Sequence, residues 1–169
     1  MESRAKIAGH PVHPMLIVFP LGLLATAVIF DTITLAKGVG RWSEMSFWMI
    51  LVGVIGGLVA AVFGLIDFLA IPSGTRAHVI GIWHGVGNVV VVALFAASWW
   101  LRRPDPSAPG ALAYVLSFAA VALALVTGWL GGELVDRLGV GVDEGANLDA
   151  PSSLARRSAA SSRNVAGGR

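Results

Sequence analysis

Four long apolar runs decide what this chain can become. They cover Met15 to Ala36, Ser46 to Ile71, His78 to Leu101 and Ala111 to Val135. Each supplies the roughly 20 helical residues needed to cross a hydrocarbon core. Charged residues make up 13% of the 169, and mean hydropathy is +0.77. A soluble domain carries about 25% charged residues, so the chain lies outside that class. The expected fold is all-α: a polytopic membrane protein whose four transmembrane helices form an up-down bundle, with both termini on one side. The turns are expected at "KGVGRWSE" (37–44), "PSGTRA" (72–77) and "RRPDPSAPG" (102–110), where glycine, proline and charge end the apolar pattern.

This divides the chain into an extramembrane segment (1–13), a helical domain (14–140) and a tail (141–169). The tail lacks aromatic residues and any core-forming pattern, and is expected to be disordered. Arg4 and Lys6 before an apolar run resemble a signal peptide. The run exceeds twenty residues and no small-residue cleavage site follows promptly, which reads as an uncleaved first helix.

Composition removes several function classes. With no cysteine, the chain has no disulfide, no iron–sulfur ligation of its own and no c-type haem attachment. The net charge of +2 comes from basic residues spread over termini and loops, which excludes a nucleic-acid surface and leaves the lipid bilayer as the partner. "GVIGGLVAAVFG" has no Gly-Lys-Ser/Thr and is helix packing rather than a phosphate loop. No nucleophile–base–orienter set is visible, so the residues give no support to an enzyme.

Trp42, Trp48, Trp99, Trp100 and Tyr114 fall at the end of the bundle away from the termini and mark one interface. Arg4, Lys6, Arg76 and Arg137 on the termini side balance Lys37, Arg41, Arg102 and Arg103 on the other. The tail arginines lean toward cytoplasmic termini in a multi-pass cell-membrane protein. Gly53 with Gly57, Gly81 with Gly85, and Gly128 with Gly132 have the spacing that lets helices approach closely. No internal duplication is evident.

Ionisable groups inside a bilayer are expensive and are functional candidates by default. Helices one and three begin at the termini side and helices two and four end there. All four histidines therefore converge on one leaflet with Asp67, Glu133 and Asp136. Gly81, His84, Gly85 and Asn88 share one stripe of helix three. Gly53, Gly57, Ala60, Gly64 and Asp67 share one of helix two. His78 lies on another face than His84 and reads as a surface or cap residue. Asp31 reads as an interfacial group reaching the far side toward Lys37. In "HPVHP", His10 and His13 each precede a proline and are expected to be extended, with the helix starting at Pro14.

Histidines from different helices of a low-dielectric bundle suit axial ligation of a b-type haem, with His13 and His84 as iron ligands and His10 a further candidate. Asp67, Asn88 and Glu133 would orient the ligands or meet the propionates. The same donors could hold bare Zn²⁺ or Cu²⁺, and a cofactor-free reading makes them an interhelical polar plug. Glu133, near the boundary, could equally snorkel to water.

"GHPVHPMLIVFPLGL", "GLIDFLAIPSGTRA", "IWHGVGN" and "GWLGGELVDRLGVGV" together resemble the bacterial DUF2231 family of predicted membrane proteins, over about residues 8 to 142. Carried over by motif, the matching positions are His10, His13, Asp67, His84, Asn88 and Glu133. Some relatives have histidine where this chain has Val18 or Glu133. Relatives also occur fused to Rieske-type iron–sulfur or c-type cytochrome domains. The resemblance therefore implies membrane electron transfer, haem b ahead of bare metal, and a separate Rieske-type or cytochrome c partner for this unfused chain.

Overall fold

A computed structural model describes residues 1–155. Four helices dominate it: α1 (Val12–Lys37), α2 (Gly40–Phe68), α3 (Arg76–Arg102) and α4 (Ala111–Gly132). All four are long and apolar enough to cross a membrane, and only 17–28% of each one's most apolar stretch is buried, leaving the rest to lipid. The chain is a multi-pass, all-α membrane protein, as its apolar runs require. After α4 the coil widens into one π-helical turn, Glu133–Arg137. Of the expected tail, residues 156–169 lie outside the described residues, while 141–155 form turns without helix or strand.

Helix α1 begins earlier than Pro14, and His13 is helical rather than extended. Proline in the first turn removes an N–H that has no intrahelical partner, so Pro14 is tolerated third in the helix and its effect on His13 is overridden. His10 keeps the extended conformation, in a small antiparallel hairpin of β1 (Lys6–Ile7) and β2 (His10–Pro11). Ala8 and Gly9 turn that hairpin with φ of 50° and 83°, the pair of left-handed residues that tight hairpins need.

The first interhelical turn is far shorter than the sequence suggests. Gly38, left-handed at φ 68°, ends α1 by donating its N–H to the Thr34 carbonyl at 2.8 Å, and α2 starts two residues later. The polar residues Arg41 to Glu44 are the first turn of α2, with Ser43 buried and Trp42 against Phe30 at 5.2 Å between ring centroids. In the α3–α4 loop, Asp105 accepts from Ser107 Oγ at 2.7 Å and from the amides of Ala108 and Ser107. These bonds, the hydroxyl's foremost, hold its carboxyl below the ordinary range.

Helix α1 packs chiefly on α2, and α3 chiefly on α4, so the bundle is two hairpins laid together. Leu24, Ala27, Val28, Ile50, Val91, Phe95 and Ala120 fill the seam between them. Toward the far end that seam is polar. Arg102 and Asp31 are both fully buried and bonded through two parallel contacts of 2.7 and 2.6 Å. Arg102 closes α3, where the sequence places it among the loop charges. A helical side chain leans toward its helix N-terminus, however, and this one returns into the bundle. Asp31 thus pairs with Arg102, not Lys37.

The remaining guanidinium hydrogens go to Ser98 Oγ at 3.2 Å, Ser117 Oγ at 3.1 Å and Ser46 Oγ at 3.4 Å. Ser98 passes its own proton to the Ala113 carbonyl at 2.6 Å, and the Tyr114 ring lies 5.0 Å from the guanidinium carbon. Asp31, Ser46, Arg102 and Ser117 come from α1, α2, α3 and α4, so one cation clasps all four helices.

Removing one member of such a pair leaves a buried charge uncompensated, at about 3–5 kcal/mol. Asp31→Ala and Arg102→Ala should each destabilise the protein by that order in detergent unfolding titrations. The double substitution Asp31→Leu with Arg102→Met, which removes both charges and keeps apolar bulk, should recover most of the loss. A double variant no more stable than either single one would contradict the clasp.

Candidate functional site

At the termini end the hairpins present one histidine each. His13, in the first turn of α1, has Nδ1 2.8 Å from the Ala60 carbonyl of α2. His84, in α3, has Nδ1 2.9 Å from the Thr127 carbonyl of α4. A carbonyl only accepts, so each Nδ1 carries a proton, and in the neutral ring Nε2 keeps its lone pair. Backbone carbonyls are the usual means of fixing a ligand histidine's tautomer and orientation. Both rings are half-buried.

Each ring also lies against a glycine of the neighbouring helix. A Cβ on Gly64 would stand 2.9 Å from His13 Cε1, and one on Gly131 would stand 3.0 Å from His84 Cε1. Real Cβ atoms rarely approach that closely, so the glycines are the floor on which the imidazoles rest.

Asn88 and Thr127 close a ring of bonds around His84. Asn88 Nδ2 donates to the His84 carbonyl at 2.8 Å, and Thr127 Oγ1 donates to Asn88 Oδ1 at 3.1 Å. The same Nδ2 lies 3.3 and 3.5 Å from the two ring nitrogens. An in-plane bond to Nε2 would put Nδ1 much farther away, so the amide sits over the ring face and leaves the Nε2 lone pair open. Sequence reasoning misses Thr127 because it looks like one more small residue of an apolar helix. Its only signal is its place one turn before Gly131.

The carboxylates are occupied differently. Asp67 accepts from Ser3 Oγ, at 2.8 Å to both oxygens, and from the amides of Arg4 and Ala5 at 2.8 and 3.2 Å. It pins the amino-terminal segment over the mouth of the bundle. The Met1 ammonium, donating to the Gly139 carbonyl at 3.0 Å, and the Gly141 amide, donating to the Met1 carbonyl at 2.9 Å, tie that segment to the end of the π turn. Glu133 pairs with Arg76 at 2.5 Å, joining the π turn to the start of α3. A hollow of about 320 Å³ lined by Trp129, Gly132, Glu133, Asp136 and Arg137 opens beside it.

His10 is exposed on the hairpin, its Nδ1 3.2 Å from the Ala8 carbonyl. His78 sits in the first turn of α3, stacked on Phe68 at 4.9 Å, its backbone amide donating to Thr75 Oγ1. The structure therefore joins His84 to Asn88 and Thr127, holds His13 separately against Ala60, and engages Asp67, Glu133 and His10 in contacts of their own.

Among the glycine pairs, Gly53 packs on Leu24, Gly57 on Val92, and Gly81 on Phe68 and Ile71. Gly85 and Gly128 meet no neighbour, and Gly132 meets only Asp136. In α4 the close approach belongs to Gly131, one residue from the expected stripe. Among the described residues, no three His, Asp or Glu side chains gather in a metal-binding group.

Comparison with known proteins gives one family. The model described as "Predicted membrane protein (DUF2231)" matches residues 9–144. No curated protein and no solved structure matches the chain.

The Asp67 latch predicts that Asp67→Ala frees the amino-terminal segment. Bonds to a charged acceptor are worth about 1.5–3 kcal/mol, so tryptic cleavage after Arg4 and Lys6 should quicken by at least about tenfold in the folded protein. Unchanged cleavage would show that the carboxylate is not what holds the segment.

Proposed function

The chain belongs to the DUF2231 family of predicted membrane proteins, and from that premise we propose that it binds one b-type haem between its two hairpins and passes electrons to a separate redox protein. The observation that carries this reading is the pair of imidazoles, one per hairpin, each with Nδ1 held by a carbonyl of the neighbouring helix and Nε2 open. Such a pair fits haem better than a bare ion. A porphyrin fills four positions around iron and asks the protein for two neutral nitrogens, whereas zinc or copper asks for three or four ligands. His13 and His84 supply two and find no third among the described residues.

In this reading His13 and His84 hold the iron, and Gly64 and Gly131 set the depth of their rings. Asn88 and Thr127 restrain His84, so that ring tilt and ligand basicity are fixed before the cofactor enters. Arg76, oriented by Glu133 at the rim, offers the cation for a propionate. Asp67 keeps the amino-terminal segment over the site and so limits water at that end. His10, outside the bundle, is left out of the ligand pair. Bound haem would supply one-electron chemistry at a potential set by its two imidazoles and its burial. The fusions of relatives to Rieske-type and c-type cytochrome domains point to a partner of that class.

A second reading rests on the same bonds. His13 and His84 already join α1 to α2 and α3 to α4, which is enough for a cofactor-free packing role. Absorption spectra of detergent-purified protein, grown with haem supplied, separate the two. The haem reading expects a Soret band, α and β bands that sharpen on dithionite reduction, and about one haem per chain. His13→Ala and His84→Ala should each remove most of the bound haem. A spectrum without haem, or haem content unchanged in His84→Ala, would sink the proposal and leave the packing role.

A further inference from the structure

The two imidazole settings are copies of each other. His13 and His84 stand 71 positions apart in the sequence, and so do Asp31 and Arg102. Ala60 and Thr127, whose carbonyls accept the hydrogen bonds from the histidine Nδ1–H groups, stand 67 apart, and so do Gly64 and Gly131. In both settings the glycine follows the accepting residue by four, one helical turn. The bond lengths, 2.8 and 2.9 Å, and the ring-to-glycine approaches, 2.9 and 3.0 Å, agree within 0.1 Å.

The same offsets carry the core across. Shifting α1 by 71 places four of its seven buried residues, Pro20, Leu24, Ala27 and Asp31, on Val91, Phe95, Ser98 and Arg102, which are four of the five buried residues of α3. Shifting α2 by 67 places Ser46, Phe47, Ile50, Gly53 and Ala60 on Ala113, Tyr114, Ser117, Ala120 and Thr127, the complete buried set of α4. Residue types have diverged almost everywhere, which is why the sequence conceals the repeat. What persists is the burial of these nine positions, and where a histidine meets a carbonyl and a glycine. Helices α1 and α3 run in one direction and α2 and α4 in the other. The repeat is therefore parallel, with its pseudo-two-fold axis along the bundle, the arrangement seen when membrane halves are related by an axis normal to the bilayer.

We infer that the chain is a tandem of one helix-hairpin unit closed around that axis, and that the site at its termini end takes its ligand through two equivalent imidazoles, set by the matched positioning residues Ala60 with Gly64 and Thr127 with Gly131. The ligand is of a class that accepts two neutral nitrogens at one centre from opposite sides, one from each unit. That the ligand is haem rests on the proposed function; the equivalence of the two histidines rests on the repeat. The far end obeys the same axis. Asp31 and Arg102 occupy matching positions and meet each other, where two identical hairpins would oppose like charges. Joining the units in one chain let those positions take opposite signs.

The test uses the full-length protein labelled with ¹⁵N-histidine, in detergent at a pH where histidine is neutral. Proton–nitrogen correlation spectra report which ring nitrogen bears the proton. Three histidines should be protonated on Nδ1, because His10 also sets Nδ1 against a carbonyl; one signal should be lost in His13→Ala and another in His84→Ala, with His13→Gln and His84→Gln as replacements if the alanine variants do not fold. Gly64→Ala should move the first and Gly131→Ala the second, by similar amounts. Either ring protonated on Nε2, or a response to only one of the two glycine changes, would overturn the equivalence. Adding haem then separates the two ideas. Both signals leaving together at one haem per chain supports them jointly. Haem that perturbs neither ring defeats the proposed function alone, and haem that perturbs only one defeats the paired site alone.

Discussion

A guanidinium and a carboxylate with no access to water set the terms for everything else in this bundle. Taking two charges into a low-dielectric interior costs several kcal/mol each, and mutual attraction offsets this only when the geometry is close and the remaining hydrogens find acceptors. Asp31 and Arg102 meet both conditions, because Ser46, Ser98 and Ser117 stand around the guanidinium. Their requirement propagates outward. The serines must face the seam, the helices carrying them must be in register, and the hairpins must be fully closed at that end. Dispersion among Leu24, Val91 and Phe95 would tolerate some sliding; a two-point ion pair does not.

With the far end locked, the termini end needs less of its own packing to stay in place. There each imidazole hangs from its own hairpin rather than across the seam. That division suits a binding site. A ligand seated between the hairpins would face donors already oriented by the backbone, while the charge cluster at the opposite end keeps the two walls aligned. Only His84 has a polar restraint beyond its carbonyl, since Ile17 and Ala60 occupy the positions that match Asn88 and Thr127. The two faces of the site are equivalent in placement but not in stiffness.

The sequence disclosed the number of helices, the family and the convergence of histidines on one leaflet, because apolar length and helix direction are properties of single segments. It hid whatever depends on how side chains travel. Arg102 lies in a stretch that reads as loop, and only its backward lean makes it a core residue. Arg41 to Glu44 read as a turn because polar residues in a first turn look like a loop when their buried face is unknown. Asp67, which the sequence places on the small-residue stripe of α2, engages the amino-terminal segment, a partner that no helical periodicity can indicate. The repeat is invisible for a related reason: burial was kept at nine matched positions while chemistry drifted, so a comparison of letters sees almost nothing.

The ion pair also has a consequence in time. Synthesis delivers Asp31 first, and Arg102 follows 71 residues later. At about 5–20 residues per second this is an interval of roughly 4 to 14 seconds. Throughout it the leading hairpin holds a carboxyl group with no counter-ion, in a segment otherwise ready to enter lipid. The nascent first half must therefore remain near water or be sheltered by the insertion machinery until the second half emerges. The order of translation makes the first hairpin a dependent intermediate, although in the finished molecule the two units are peers.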